Sequence, residues 1–166
     1  LLRKGRKASL VLGGNSLRRE GQIAAARVAQ ASGCDLLADS FPAYIERGAG
    51  LPNINRIPYL PEMALAVLSK YELIVFAGAR EPVSFFGYEG VPGRLVQDNQ
   101  EMVHLAGPDQ DVLQTIMNLA DSLDAHSDVD AKRFSPVKRP LLLGGPLSGE
   151  TICSVIAALQ PEGAIV

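Results

Sequence analysis

Cysteine, histidine and tryptophan are scarce in this sequence of 166 residues, which has two cysteines, two histidines and no tryptophan. Cys34 and Cys153 lie far apart in apolar surroundings, and neither has another cysteine or a histidine at metal-ligand spacing. The pattern predicts two buried free thiols, and it argues against both a disulfide framework and a zinc site.

An excess of charge of one sign is also missing. The 16 lysines and arginines nearly balance the 18 aspartates and glutamates, which gives a net charge of −2 and a pI of about 5.7. This balance gives no reason to expect binding to nucleic acid or to an anionic membrane.

Long hydrophobic runs are absent as well, so no segment is predicted to span a bilayer. The basic residues of segment 1–7 (LLRKGRK) are not followed by the apolar stretch of a signal peptide. We therefore expect a cytoplasmic protein.

The sequence does have enough apolar residues for a core, since 47% of it is hydrophobic and only 27 residues are glycine or proline. This composition excludes wholesale disorder and predicts one domain, or one domain plus a fragment. Segment 1–7 is predicted to be a linker, because no initiator Met precedes it. The apolar segment 164–166 reads as the first residues of a strand, so we expect the chain to be part of a larger protein.

Short apolar runs bounded by glycine, proline or polar residues predict strands, and helical spacing of apolar residues predicts helices. The predicted strands are 8–12, 34–38, 73–77, 94–96 and 102–105, with 73–77 (LIVFA) as the central one. The predicted helices are 17–32, 61–70, 109–123 and a last one that follows Ser148. The predicted N-caps are Asn15 or Ser16, Asp109 and Ser148, Pro61 is predicted in the first turn of the second helix, and Gly33 ends the first helix.

Buried strands that alternate with helices indicate βαβ units and a parallel sheet that is covered on both faces. The predicted architecture is therefore α/β, a doubly wound, Rossmann-like sheet. We place the domain at residues 8–124 and a polar linker at 125–147. Residues 148–166 would then open a neighbouring domain.

Two glycine-bearing strand ends are candidate ligand sites, because ligands of open parallel sheets lie beyond the carboxyl ends of the strands. Gly13 and Gly14 follow the first strand and precede a helix N-terminus, where bare backbone suits a phosphate. Gly78, Ala79 and Arg80 follow strand 73–77, and Arg80 could pair with a phosphate. The alternative is that these turns need glycine for geometry alone, since the spacing is not G-x-G-x-x-G.

Catalytic constellations are missing from the sequence. His104 ends an apolar strand, where we expect a partly buried residue, and His126 lies in the polar linker. No serine stands in a nucleophile-elbow pattern, and Glu46 and its neighbours are expected to be solvated loop charges. The aromatic loop 83–88 (VSFFGY) either is an exposed, partner-facing patch or folds onto the sheet, and both alternatives stay open.

The order of these pieces resembles the middle domain of thiamine-diphosphate-dependent enzymes of the acetolactate synthase large-subunit group. The resemblance covers nearly the whole chain and rests on motifs that are modest singly and fairly specific together. These are the Gly-Gly turn at 13–14, Gly-Ala-Arg at 78–80, Val-His at 103–104, RIPY at 56–59, PVSFFGY at 82–88 and LQPEGAIV at 159–166.

The resemblance implies a three-domain parent enzyme, a 2-oxo acid carboligase or decarboxylase that acts on carbon–carbon bonds. The thiamine diphosphate and its Mg²⁺ would be held by the domains on either side, so this chain alone would be inactive. Its own domain would be of the DHS-like FAD/NAD-binding type. It would serve structure, assembly into a homodimer or homotetramer, and one wall of the approach to the active site.

The resemblance also implies candidate flavin ligands, because acetolactate synthases bind a structural FAD in this domain. The matching positions are Gly13, Gly14, Gly78, Ala79 and Arg80. The family's Gly-Met-His-Gly stretch is absent from 51–60, its Phe-Asp-Asp-Arg is replaced at 81–84, and its Ile-Asp is Leu-Ala at 105–106. These departures favour a flavin-free domain. A stand-alone nucleotide- or flavin-binding module is the alternative from another functional class.

Overall fold

The computed structural model describes residues 1–2 and 5–165, so Arg3 and Lys4 of the predicted linker and the terminal Val166 lie outside the described residues. Five strands and four α-helices are present in this part of the chain. The strands are β1 (Ala8–Leu12), β2 (Asp35–Ala38), β3 (Asn55–Arg56), β4 (Leu73–Ala77) and β5 (Glu101–Ala106). The helices are α1 (Arg19–Ser32), α2 (Pro61–Leu68), α3 (Val112–Ser122) and α4 (Gly149–Leu159).

All five strands pair in parallel, in the order β3-β2-β1-β4-β5. In the β1–β4 pair, Ala8 is opposite Leu73 and Leu12 is opposite Ala77. The middle strand is β1, so the prediction of 73–77 as the central strand is off by one position. Both strands are buried over their whole length, because apolar clusters cover both faces of the sheet.

Apolar clusters on the two faces of the sheet show that it is doubly wound, as predicted. One cluster joins Leu10 and Leu12 of β1 to Val28 of α1 and Ile116 of α3. The other joins Val11 of the same strand and residues of β4 to α2. Successive residues of β1 point to opposite faces of the sheet. Because these residues are all apolar or small, both faces need helices to bury them.

Two strand predictions are corrected by the structure. Segment 94–96 forms no strand and has only a single bridge, between Val83 and Arg94. Leu95 and Val96 are apolar because they are buried in loop packing against the second cluster. Conversely, β3 is a two-residue strand between residues 38 and 61, where no strand is predicted.

The caps of two helices also differ from prediction. A 3₁₀ turn, Gly14–Leu17, precedes α1, so neither Asn15 nor Ser16 caps that helix. Asp111, not Asp109, caps α3, where its carboxylate accepts the Gln114 backbone N–H at 3.0 Å. Gly33 does end α1, and its φ of 77° is the left-handed conformation that favours glycine.

The first compact unit is Leu1–Ser135, which extends beyond both predicted limits of the domain. Leu2 is buried in the core, and the Lys7 carbonyl accepts the Glu72 N–H at 2.8 Å, so these residues are not a free linker. At the other end, the Ser135 N–H donates to the Leu51 carbonyl at 2.8 Å. Composition alone gave no sign of these backbone contacts.

The second unit is Pro136–Val166, of which 136–165 are described. Ser148 caps α4 as predicted, with its Oγ 3.2 Å from the Thr151 backbone nitrogen. Large apolar side chains of this unit are exposed, including Ile152, Ile156 and Leu159 of α4. Ala164 and Ile165 belong to no strand, which corrects the prediction as far as the described residues go.

Both cysteines are free, as predicted, but only Cys34 is buried and Cys153 is exposed on α4. The prediction of a buried thiol is therefore wrong for Cys153. In the described part of the chain, no helix is both long enough and apolar enough to cross a bilayer.

Candidate functional site

The candidate site lies where the chain reverses direction across the sheet. The connection after β1 leads to β2 on one side, whereas the connection after β4 leads to β5 on the other side. The carboxyl ends of β1 and β4 are adjacent, and such a switch point is where open α/β sheets bind ligands. Gly13 directly follows β1 and Gly78 directly follows β4, so the structure brings the two predicted glycine turns together.

The two turns pack backbone against backbone. The Gly13 N–H donates to the Ala77 carbonyl at 3.0 Å. A Cβ added at Gly13 would lie 2.5 Å from the Gly78 carbonyl oxygen, and one added at Gly78 would lie 2.5 Å from the Gly13 carbonyl oxygen. Close approach therefore requires glycine at both positions, which supports the purely geometric reading of these turns.

The backbone amides of these glycines are already paired within the protein. Ser16 is fully buried, and its Oγ accepts the Gly13 N–H at 3.0 Å and lies 2.8 Å from the Gly13 carbonyl. The Gly78 N–H donates to the Ala106 carbonyl at 2.9 Å. Neither amide points freely into solvent, so neither is available to cradle a phosphate.

The five predicted cofactor-binding residues fall into two groups. Gly13, Gly78 and Ala79 are buried in the packed turns, whereas Gly14 and Arg80 are exposed. Among the residues that the structure describes, Arg80 has no hydrogen bond and no ion pair. The two glycine turns form a closed junction with the guanidinium of Arg80 beside it. This junction does not fit the diphosphate of a bound flavin.

A cleft of about 670 Å³ lies beside this junction, at the N-termini of α1 and α3. It is lined by Asn15, Arg18, Arg19, Glu20, Gly21, Glu46, Gln110, Asp111, Val112 and Leu113. Arg80 is not among the lining residues. Two arginines and three carboxylates share the cleft, so its charge does not select an anion.

Glu46 holds the N-terminus of α1, which sequence reasoning missed. Its carboxylate accepts the Arg19 backbone N–H at 2.8 Å and lies 3.8 Å from the Arg18 guanidinium. Arg18 in turn stacks on the Tyr44 ring, with 3.8 Å between the guanidinium carbon and the ring centroid. A carboxylate from a distant loop therefore occupies the helix end where a phosphate would bind. The prediction of a solvated Glu46 is wrong, and no local signal could have shown this contact.

A second cavity, of about 390 Å³, lies at the opposite edge of the sheet. Tyr71 precedes β4 and donates from its hydroxyl to the Asp35 carboxylate at 3.1 Å. Burial, followed by the charge of Asp35 and this hydrogen bond, raises the pKa of Tyr71 to about 12. Burial also raises the pKa of the Cys34 thiol, which lines the same cavity and therefore stays protonated at neutral pH.

We expect the Tyr71 pKa to make stability depend on pH in the alkaline range. The ordinary pKa of tyrosine is 10 and that of Tyr71 in the folded protein is about 12, so the folded state binds this proton more tightly than the unfolded state. The corresponding stabilisation is complete below pH 10 and is lost as the pH rises through 12. Tyr71→Phe should remove that loss, as measured by urea unfolding at pH 9 and pH 11. An unchanged pH dependence in the variant would contradict the assignment.

The two histidines form no catalytic pair. His104 is exposed on β5, contrary to the expectation of partial burial, and its ring stacks on Phe76 with 5.2 Å between centroids. His126 is exposed as well. Within the described residues, no group of three or more His, Cys, Asp or Glu side chains is placed to hold a metal ion.

The structure decides between the two alternatives that the sequence left open for the aromatic loop 83–88. Phe85 is 60% exposed and Phe86 is 56% exposed. Both rings lie on the surface and contact each other edge to face, with 4.8 Å between centroids. The loop is therefore an exposed patch and does not fold onto the sheet.

Comparison with known proteins bears on what this domain is part of. No family model matches the chain. The candidate acetolactate synthase large subunit IlvX of Mycobacterium tuberculosis is 41% identical over 170 aligned positions, which cover 100% of this chain and 32% of that protein. The chain is similar to the acetolactate synthase large-subunit group. The predicted resemblance is thereby confirmed, and the chain spans about a third of the length of this relative.

Solved structures show the same fold. A candidate thiamin diphosphate-dependent enzyme from Mycobacterium smegmatis matches 96% of this chain over 33% of its own, with a TM-score of 0.65 and 19% identity. The thiamine diphosphate-dependent 4-hydroxybenzoylformate decarboxylase of Rhodococcus jostii RHA1 matches 99% of this chain over 33% of its own, with a TM-score of 0.66 and 18% identity. The α/β, Rossmann-like fold is confirmed by this likeness.

Proposed function

We propose that the chain is the non-catalytic central domain of a thiamine-diphosphate-dependent 2-oxo acid carboligase or decarboxylase of the acetolactate synthase-like kind. The observation that carries this proposal is the 41% identity to a candidate acetolactate synthase large subunit over the whole chain, which corresponds to only 32% of that protein. Thiamine diphosphate, held by other domains, would supply an electron sink for making or breaking the carbon–carbon bond at the 2-oxo carbon.

The proposed roles of this chain are structural. Its domain would support the other domains, contribute to assembly as a homodimer or homotetramer, and provide one wall of the approach to the active site. Thiamine diphosphate and Mg²⁺ would be held outside residues 1–166, in a cytoplasmic enzyme. The exposed apolar side chains of α4, including Ile152 and Ile156, support the proposal that residues 148–166 open the following domain, because such a face normally packs against a partner.

The test of the proposed activity is consumption of 2-oxo acids by the purified full-length protein. The protein is first depleted of cofactor with a chelator, and pyruvate and aromatic 2-oxo acids are then supplied with and without thiamine diphosphate and Mg²⁺. Consumption that requires thiamine diphosphate would support the proposal. Failure to consume any of these acids with the cofactor present would count against a carboligase or decarboxylase.

We further propose that the domain holds no flavin. The paired amides of Gly13 and Gly78 and the carboxylate of Glu46 at the α1 N-terminus support this. The visible absorption spectrum of the full-length protein, after incubation with FAD and gel filtration, tests it. A retained flavin band would contradict the proposal and would favour a flavin-binding synthase or the alternative, a nucleotide-binding module.

Arg80→Ala is expected to leave the protein almost unchanged. Because the side chain is exposed and has no partner among the described residues, the free energy of unfolding should change by less than about 0.5 kcal/mol. Melting curves of variant and wild type should also coincide in the presence of FAD or ADP. A clamp on a phosphate would instead weaken ligand binding by about 1.5–3 kcal/mol in the variant.

A further inference from the structure

We propose that five exposed aromatic side chains form a docking surface for another domain of the same polypeptide. These residues, called the aromatic surface below, are Phe41, Tyr59, Phe85, Phe86 and Tyr88, and their exposed fractions are 58%, 43%, 60%, 56% and 36%. The inference rests on the proposed function, in which the chain is one domain of a larger enzyme.

Three loops contribute to the aromatic surface. Phe41 follows β2, Tyr59 follows β3 and Phe85 follows β4, so all three rings lie at the carboxyl edge of the sheet. The ring centroids are 5.6 Å apart for Phe41 and Tyr59, 5.5 Å for Phe41 and Phe85, and 5.9 Å for Tyr59 and Phe85. Side chains that are distant in sequence thus form one contiguous cluster, which isolated exposed residues would not do.

Phe86 and Tyr88 extend the cluster along the loop. Phe86 contacts Phe85 at 4.8 Å and Tyr88 at 6.2 Å between centroids. Desolvation, followed by the proximity of Tyr59, raises the pKa of Tyr88. Each of the five rings therefore contacts at least one other ring of the aromatic surface.

The shape of the aromatic surface suits a protein better than a small planar ligand. A ring inserted between two others needs roughly 7 Å between them, twice a van der Waals contact of about 3.5 Å. The observed centroid distances of 5.5–5.9 Å in the first three rings leave no such slot. Leu60, Met63 and Val83, which are neighbours in the same loops and the first turn of α2, add exposed apolar area. Aromatic and methionine side chains are enriched in protein interfaces.

The length of the relatives supports a cover from the same polypeptide. The whole chain corresponds to 32% of a protein that is 41% identical to it, and to 33% of each of two solved structures with the same fold. In a protein of that size, most of the surface available to cover the aromatic surface belongs to residues outside 1–166. A cover from the same polypeptide is present whether or not copies assemble, so the apolar surface need not face solvent in the finished enzyme.

Photo-crosslinking of the full-length protein tests the inference. Phe85 is replaced by p-benzoylphenylalanine, the protein is irradiated, and crosslinked peptides are identified by mass spectrometry. Met117 of α3, which is 39% exposed and outside the aromatic surface, carries the same probe as a matched control. We expect the probe at position 85 to crosslink to a peptide from outside residues 1–166, with a yield several-fold above that of the control.

Two results would overturn the inference. Crosslinks from position 85 to residues 1–166 of a second copy would make the aromatic surface a self-contact, and a yield no higher than that of the control would leave it facing solvent. Consumption of 2-oxo acids, measured on the same preparation without irradiation, separates this outcome from the proposed function. If the protein consumes 2-oxo acids but position 85 gives no crosslink, only the docking surface is refuted. If position 85 gives the crosslink but the protein consumes no 2-oxo acid, only the proposed activity is refuted.

Discussion

Gly13→Ala is expected to lower the free energy of unfolding by about 3 kcal/mol, as overpacking of a rigid site does. The added Cβ would lie 2.5 Å from the Gly78 carbonyl oxygen and 2.7 Å from the Ala79 Cα. Both are backbone atoms, so neither can rotate away as the end of a side chain could. Relief would require β1 and β4 to separate at their carboxyl ends, where the Gly13 N–H bonds to the Ala77 carbonyl.

The matched control is Gly93→Ala. Nothing lies within 4 Å of a Cβ at Gly93, so the same change in chain entropy is made there without a clash. Urea unfolding of both variants checks the prediction. Equal midpoints for Gly13→Ala and Gly93→Ala would mean that the two turns are not in backbone contact.

Phe76→Ala is expected to destabilise the protein by about 4 kcal/mol, because it combines lost burial with a cavity. Phe76 is fully buried at the centre of the cluster that joins β4 to α2. Its ring also supports the exposed ring of His104 on the neighbouring strand. Thermal and urea unfolding give the measurement, and loss of soluble protein would be the extreme form of the same result.

Met117→Ala serves as the control for Phe76→Ala. Met117 is 39% exposed on α3 and lies outside both buried clusters. Its replacement should cost less than about 1 kcal/mol, as surface changes do. If Phe76→Ala lowered the free energy of unfolding no more than Met117→Ala does, the cluster around Phe76 would not contribute substantially to the stability of the sheet.

The strands that sequence analysis predicted well are those whose apolar runs are buried on both faces, such as β1 and β4. The strand β3 was missed because Asn55 and Arg56 are polar and exposed. They are extended only because they pair with Leu37 and Ala38 of β2. The prediction of a strand at 94–96 was wrong for the opposite reason, since Leu95 and Val96 are buried but do not pair with a strand. Pairing partners are a property of the tertiary structure, and local patterns do not contain them.

Sequence analysis predicted that the two glycine turns follow the ends of two strands, as they do, but it did not decide whether they bind a ligand. Glycines at the ends of two strands are expected both for a phosphate cradle and for tight backbone packing. The distinction depends on where the amides of Gly13 and Gly78 donate, and their acceptors, Ala77 and Ala106, come from other strands. Glu46 reaches α1 from a loop that is distant in sequence, so its role was equally invisible.

The exposed position of the aromatic loop could not be predicted either. Val83 to Tyr88 has the composition of a core segment as much as of an interface. The structure shows Phe85 packed against Phe41 and Tyr59 from two other loops. If the chain is one domain of a larger enzyme, as proposed, an exposed cluster of this kind is expected where domains meet.

Titration calorimetry with thiamine diphosphate and Mg²⁺ tests the central claim most directly. The full-length protein and residues 1–166 alone are titrated under the same conditions, and circular dichroism first checks that residues 1–166 are folded. We predict saturable binding to the full-length protein and no binding to residues 1–166. Absence of binding to the full-length protein, or binding by residues 1–166 themselves, would contradict the assignment of this chain as the non-catalytic central domain.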